Sequence, residues 1–217
     1  MNTRTKQLVS GLFLGPLVLT FAWLILGFFN TGYSLWDERV ESYSVIAQPI
    51  SGLGLGNTAP YMNTAFIVSG ICIALGSVGF ARTLSGASAK YKTRTAVLLS
   101  LVGVGAALCG IFNLESFMLH TLGFMLALSP IVTFVYLGRL FRRDKTMRAV
   151  TNSMLWMSPI LLVLAIAYFA SFNPERAGMN EGYAGLTERV LLAVLLGYYF
   201  VLGMFAVGGK DRQRTKG

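Results

Sequence analysis

Apolar residues fall in six blocks, at about residues 8–29, 61–81, 95–114, 117–138, 151–171 and 189–208. Each is about 20 residues long, enough to cross the roughly 30 Å hydrocarbon core as a helix. Strand alternation is absent, and in lipid a helix satisfies its own backbone hydrogen bonds. The pattern predicts an all-α, polytopic membrane protein: a six-transmembrane-helix bundle, with residues 1–217 forming a single integral membrane domain. Small residues mark close helix contacts. They are Gly11 and Gly15 on the first block, Ser69, Gly70, Gly76, Ser77 and Gly79 on the second, and Gly103, Gly105, Ala106, Ala107 and Gly110 on the third. Pro16, Pro130 and Pro159 predict kinks. The third and fourth blocks are joined only around Asn113, Leu114, Glu115 and Ser116, which predicts a tight antiparallel helical hairpin.

One polar stretch breaks the pattern. Residues 43–63 hold Tyr43, Ser44, Gln48, Pro49, Ser51, Gly52, Gly54, Gly56, Asn57, Pro60 and Asn63. Val45, Ile46, Ile50, Leu53 and Leu55 make it too apolar for a freely solvated loop, while Pro49 and the spaced glycines oppose a regular helix. The expectation is a loop between helices 1 and 2, folded back onto the mouth of the bundle. Irregular backbone at that depth must be buried in protein or line a wet cavity.

Composition agrees with a membrane class. The chain is 54% hydrophobic and 12% charged, where a soluble domain is nearer a quarter charged. The formal charge of +9 is a topology signal. With the N-terminus in the cytoplasm, the inner segments hold every Lys and Arg except Arg39, Arg176 and Arg189. That bias predicts a multi-pass plasma-membrane protein with both termini cytoplasmic and the 30–60 loop extracytoplasmic. The partners expected are membrane lipids, with the basic residues meeting anionic headgroups. A membrane-protein partner or a homo-oligomer is compatible with the small-residue faces, and a nucleic acid is not expected. Cys72 and Cys109 lie inside separate blocks and read as small apolar packing residues.

The candidate chemistry is sparse. No charged residue lies deep in any of the six blocks, which argues against a pump or a channel. Glu188 and Arg189 read as an acid at a helix start and a surface base. The aromatic residues Tyr33, Trp36 and Tyr43 read as headgroup-belt anchors. His120, the sole histidine, falls about one turn into the fourth block. A lone histidine builds no tetrahedral zinc site, and neither Asp37, Glu41 nor Glu115 stands at a ligand spacing from it. No metal and no cofactor is expected. Gly52, Gly54 and Gly56 are a weak phosphate-loop signal without the flanking strand that a dinucleotide fingerprint needs. Ser44 or Ser51 with His120 and an acid has the residue types of a hydrolytic triad, without a nucleophile-elbow pattern.

Taken together, Tyr43-Ser44, Ile50-Ser51, Leu53-Gly54, Gly56, Ala59 and Asn63, then Gly110-Ile111-Phe112 and His120-Thr121-Leu122-Gly123, resemble a family. It is the bacterial and archaeal membrane family called domain of unknown function 998, over roughly residues 8–205. The resemblance implies the six-helix fold and singles out these motif residues. It implies no reaction. Gly52 stands where the family often has Asp, and Met62 where Phe is usual.

These readings place a binding site at the extracytoplasmic face. Its candidate residues are Tyr43, Ser44, Gln48, Ser51, Gly54, Gly56, Asn63, Asn113, Glu115 and His120, around a lipid or a small amphiphile. The alternatives are a membrane enzyme acting on a lipid or cell-envelope substrate with His120 as general base, and a subunit or scaffold of a membrane complex.

Overall fold

The computed structural model describes residues 1–35, 38–142, 147–173, 176–177 and 179–208. Trp36, Asp37, Arg143, Asp144, Lys145, Pro174, Glu175 and the charged tail from Lys210 to Lys216 lie outside the described residues. Among the described residues eight helices build the bundle: α1 (Thr3–Val9), α2 (Gly11–Leu26), α3 (Ala59–Thr83), α4 (Ala89–Ile111), α5 (Phe117–Ala127), α6 (Pro130–Phe141), α7 (Arg148–Ser171) and α8 (Ala184–Gly208). They make six spans long and apolar enough to cross a membrane, because α1 with α2, and α5 with α6, each form one. The chain is therefore a multi-pass membrane protein.

Two of the spans are broken within their length. Pro130 opens α6, where its missing N–H costs nothing, and the fourth span breaks just before it. Pro16 and Pro159 instead lie inside unbroken helices, and the first span is interrupted at Ser10. Span limits also shift. The first span runs from Thr3 to Leu26 rather than 8–29, and the sixth begins at Ala184 rather than 189.

Successive spans pack side by side, and α8 closes the ring against α2. The close approach rests on missing side chains. A Cβ on Gly70 would collide with the carbonyl of Gly103, and one on Gly103 with that of Gly70. Gly105 faces the Gly123 carbonyl in the same way, and Gly11 that of Cys72. With no hydrophobic drive between helices in lipid, such contacts supply dispersion, and a few hydrogen bonds add to it. Ser69 Oγ donates to the Gly15 carbonyl at 2.8 Å, and Tyr199 Oη to that of Leu99 at 2.8 Å.

Residues 27–58 join the first two spans at the end of the bundle away from the termini, here the loop end. They begin with a two-stranded hairpin, Tyr33–Leu35 against Glu38–Val40, that hydrophobic patterning does not predict. Tyr33, Val40 and Leu55 bury together beneath it. Two 3-10 turns follow, Ile50–Gly54 and Gly56–Thr58, and lead into α3.

Candidate functional site

The turn Ile50–Gly54 is buried throughout. Its first backbone amide is matched by a partner near the start of the sixth span. The Ile50 N–H donates to Glu188 Oε2. The exposed amides at the head of α8 also find acceptors: Leu186 N–H donates to the Ile46 carbonyl at 2.9 Å, and Gly185 N–H to that of Ala47 at 3.3 Å. A helix start has unpaired N–H groups, and here the loop supplies the carbonyls. A side chain at Gly185 would collide with the Gln48 carbonyl, so glycine permits the approach.

Arg189 completes the grip. Its Nη1 donates to the carbonyls of Val45 (2.8 Å), Gln48 (3.0 Å) and Gly185 (2.9 Å). Its Nη2 donates to Tyr43 Oη at 2.5 Å, and Tyr43 Oη donates onward to the Pro49 carbonyl at 3.0 Å. The guanidinium also lies 5.7 Å from the ring centres of Trp23 and Tyr43, within cation–π range. Both Glu188 and Arg189 are buried, at 3% and 7% exposure. Arg189 is therefore not a surface base, and Glu188 lies inside the sixth span rather than at its start. Starting the sixth span at Arg189 concealed them, since a charge at the margin of an apolar run looks like its boundary.

Tyr43 and Tyr33 are likewise not belt anchors. Tyr43 is half-buried in the clamp, and burial raises its phenol pKa against the opposing pull of Arg189. Tyr33 is 9% exposed, and burial pushes its phenol up to about 12.

The other loop candidates divide by role. Ser44 Oγ accepts from the Ala47 N–H at 3.2 Å, a local turn bond. Gln48 Nε2 donates to Asn180 Oδ1 at 2.5 Å and to the Ala177 carbonyl at 3.3 Å, while its buried Oε1 has no partner among the described residues. Asn63 Nδ2 donates to the Gly54 carbonyl at 3.1 Å, and a Cβ on Gly54 would stand 2.5 Å from Asn63 Oδ1. Gly56, at φ 63°, turns the chain against the Gly32 carbonyl. These residues fix the loop.

Ser51 and His120 occupy a different position. Together with Glu188 they line one cavity of about 30 Å³ under the turn. The remaining walls are apolar or weakly polar, among them Leu19, Phe66, Cys109, Phe124 and Leu192. Ser51 is buried, at 8% exposure. His120 Nδ1 lies 2.8 Å from the Phe112 carbonyl. A carbonyl only accepts, so the neutral ring carries its proton on Nδ1 and leaves Nε2 as the basic nitrogen. Asn113 and Glu115 are not part of this cavity. Asn113 Oδ1 accepts from the Glu115 N–H at 3.1 Å and caps the short turn before α5. Among the described residues no group of three His, Cys, Asp or Glu side chains is placed to hold a metal.

The comparisons with known proteins bear on this arrangement. A family model described as "Protein of unknown function (DUF998)" matches residues 13–204. The chain belongs to that family. No curated protein and no solved structure matches it. The DUF998 match takes in the loop, His120 and the Glu188–Arg189 pair. At Gly52, where the resemblance puts Asp, an added Cβ would lie 3.0 Å from Tyr33 Oη and 3.1 Å from its ring. In this DUF998 member the tyrosine phenol fills the space beside that position.

Proposed function

We propose that the protein binds a small amphiphile at the loop end of the bundle, with the ligand's polar group held by Ser51, His120 and Glu188. One observation carries the reading: three polar groups from distant points of the chain line a single, otherwise apolar cavity. Apolar walls with a few convergent polar groups are the usual make-up of a small-molecule site. A hydroxyl that donates and accepts, an imidazole lone pair and a carboxylate suit a hydroxyl, amine or amide on the ligand. The cavity admits a group about the size of one water, so a larger ligand enters only as the turn Ile50–Gly54 lifts away from Glu188. The distribution of basic residues supports cytoplasmic termini, which puts this site on the extracytoplasmic side of the plasma membrane.

Native mass spectrometry of protein extracted in mild detergent tests the proposal. The wild type is expected to retain an amphiphile that Ser51→Ala and Glu188→Gln release. A wild type without adduct, or variants that retain it equally, overturns the proposal.

The same three residue types favour a second reading, a membrane enzyme cleaving an ester or amide of a lipid or envelope substrate. Ser51 is then the nucleophile, His120 Nε2 the base, and Glu188 a nearby acid. The Phe112 carbonyl, rather than an acid, orients the imidazole. Hydrolysis of a lipid-ester panel that disappears in His120→Ala, with the melting temperature kept, supports this reading. Activity that survives in His120→Ala removes it.

A further inference from the structure

A second concavity lies at the opposite end of the bundle. The connection from α3 to α4 and the end of α6 enclose a groove of about 990 Å³, the size of a small-ligand site. Ser85, Ser88, Tyr91, Tyr136 and Arg139 give it hydroxyls and a guanidinium, with Met147 among the apolar walls. Among the described residues no carboxylate lines it. Arg94 Nη1 donates to Tyr136 Oη at 3.3 Å, which brings a second guanidinium to the groove wall. Tyr91 stacks 5.5 Å from Phe141, so one wall is fixed by the core. Gly86, at φ 73°, has open space where a side chain would stand, which leaves the backbone approachable.

Two guanidiniums beside several hydroxyls are the chemistry that holds a phosphate ester. The groove lies at the ends of the spans, where tyrosines sit at headgroup level. Basic pockets between membrane helices hold anionic lipid headgroups in this way. We propose that this groove binds the phosphate ester of an anionic phospholipid or of a soluble phosphorylated compound, through Arg139 and Arg94, independently of the cavity at the loop end.

The test is native mass spectrometry of the full chain titrated with phosphatidylglycerol and with phosphatidylcholine. The wild type is expected to bind phosphatidylglycerol in preference, and Arg139→Gln to lower that affinity about tenfold, the loss of one charge-assisted contact. Arg139→Lys keeps part of the binding, and Arg39→Gln at the loop end keeps all of it. Should Arg139→Gln lower the melting temperature, Ser85→Trp, which fills the groove from an exposed loop, is expected to lose the same preference. Competition by glycerol 3-phosphate assigns the phosphate to a soluble ester, and its failure to compete assigns it to the lipid. Equal binding of both lipids, or unchanged phosphatidylglycerol binding in both Arg139→Gln and Ser85→Trp, overturns the proposal.

Discussion

The seam between the first four spans and the clamp at the loop end hold the same molecule together by opposite means. The seam works by absence: at Gly70, Gly103, Gly105 and Gly123 the lack of a side chain lets backbones touch. The clamp works by polar saturation: one buried guanidinium serves three carbonyls and a phenol. Dispersion along the seam is spread over many atoms and degrades gradually. The clamp concentrates its stabilisation in one side chain, because an unpaired buried carbonyl costs about 1–3 kcal/mol. A bundle that must be permanent suits the first design. A segment that must be held firmly yet released as a unit suits the second.

The largest expected effect comes from breaking the clamp. Arg189→Met keeps the aliphatic stem and removes every donor, and is expected to destabilise the loop end by about 3–5 kcal/mol, as when one partner of a buried polar pair is lost. Hydrogen exchange should rise over residues 42–54 and stay slow in α3 and α4. Uniform exchange across the bundle would dissolve the contrast between the two regions. Next comes the seam. Gly103→Val is expected to cost about 1–3 kcal/mol through a forced shift of helices, read as a lower melting temperature in detergent, with exchange in the loop unchanged.

A pH dependence follows from Tyr33, whose burial raises its phenol from 10.0 to about 12. The folded state holds that proton more tightly than the unfolded state. The stability it contributes is therefore complete below pH 10.0, declines as the unfolded chain ionises, and is gone once pH has risen through about 12. The melting temperature should fall over this window, and Tyr33→Phe should flatten the fall. Smaller still is Gly52→Ala, expected to cost under about 1 kcal/mol because the Tyr33 ring stands 3.1 Å from the new methyl and must give way slightly. The smallest is Asn113→Ala, a cap on a short turn, expected to cost about 0.5 kcal/mol and to leave any ligand affinity unchanged. A lost ligand in that variant would extend the site beyond the cavity.

The seam was legible in the sequence because its signal is local. Gly70, Gly76, Gly103 and Gly105 sit inside apolar runs where only close packing accounts for them. That residues 43–63 differ from the spans was legible for the same reason, from polar and glycine positions against an apolar background. Ser51 and His120 stood out by type, and lining a common cavity is a tertiary fact that spacing does not carry. The clamp was not legible. Glu188 and Arg189 look like the edge of an apolar block when residues are read singly, and only the carbonyls of Val45 and Gln48, far away in sequence, change their meaning. Asn113 and Glu115 lie outside that cavity, and polar residues at a helix start serve a cap as readily as a ligand.

The central claim is that Ser51, His120 and Glu188 form a ligand site beneath a loop gripped by Arg189. A structure determined in a lipid nanodisc tests it most directly. The account predicts ordered density with an apolar chain, its polar end within hydrogen-bond distance of at least two of those three side chains, and the turn Ile50–Gly54 displaced from Glu188. The three side chains bonded to one another or to a single water, with the Ile50 N–H still on Glu188 and lipid only on the outside of the bundle, would contradict it.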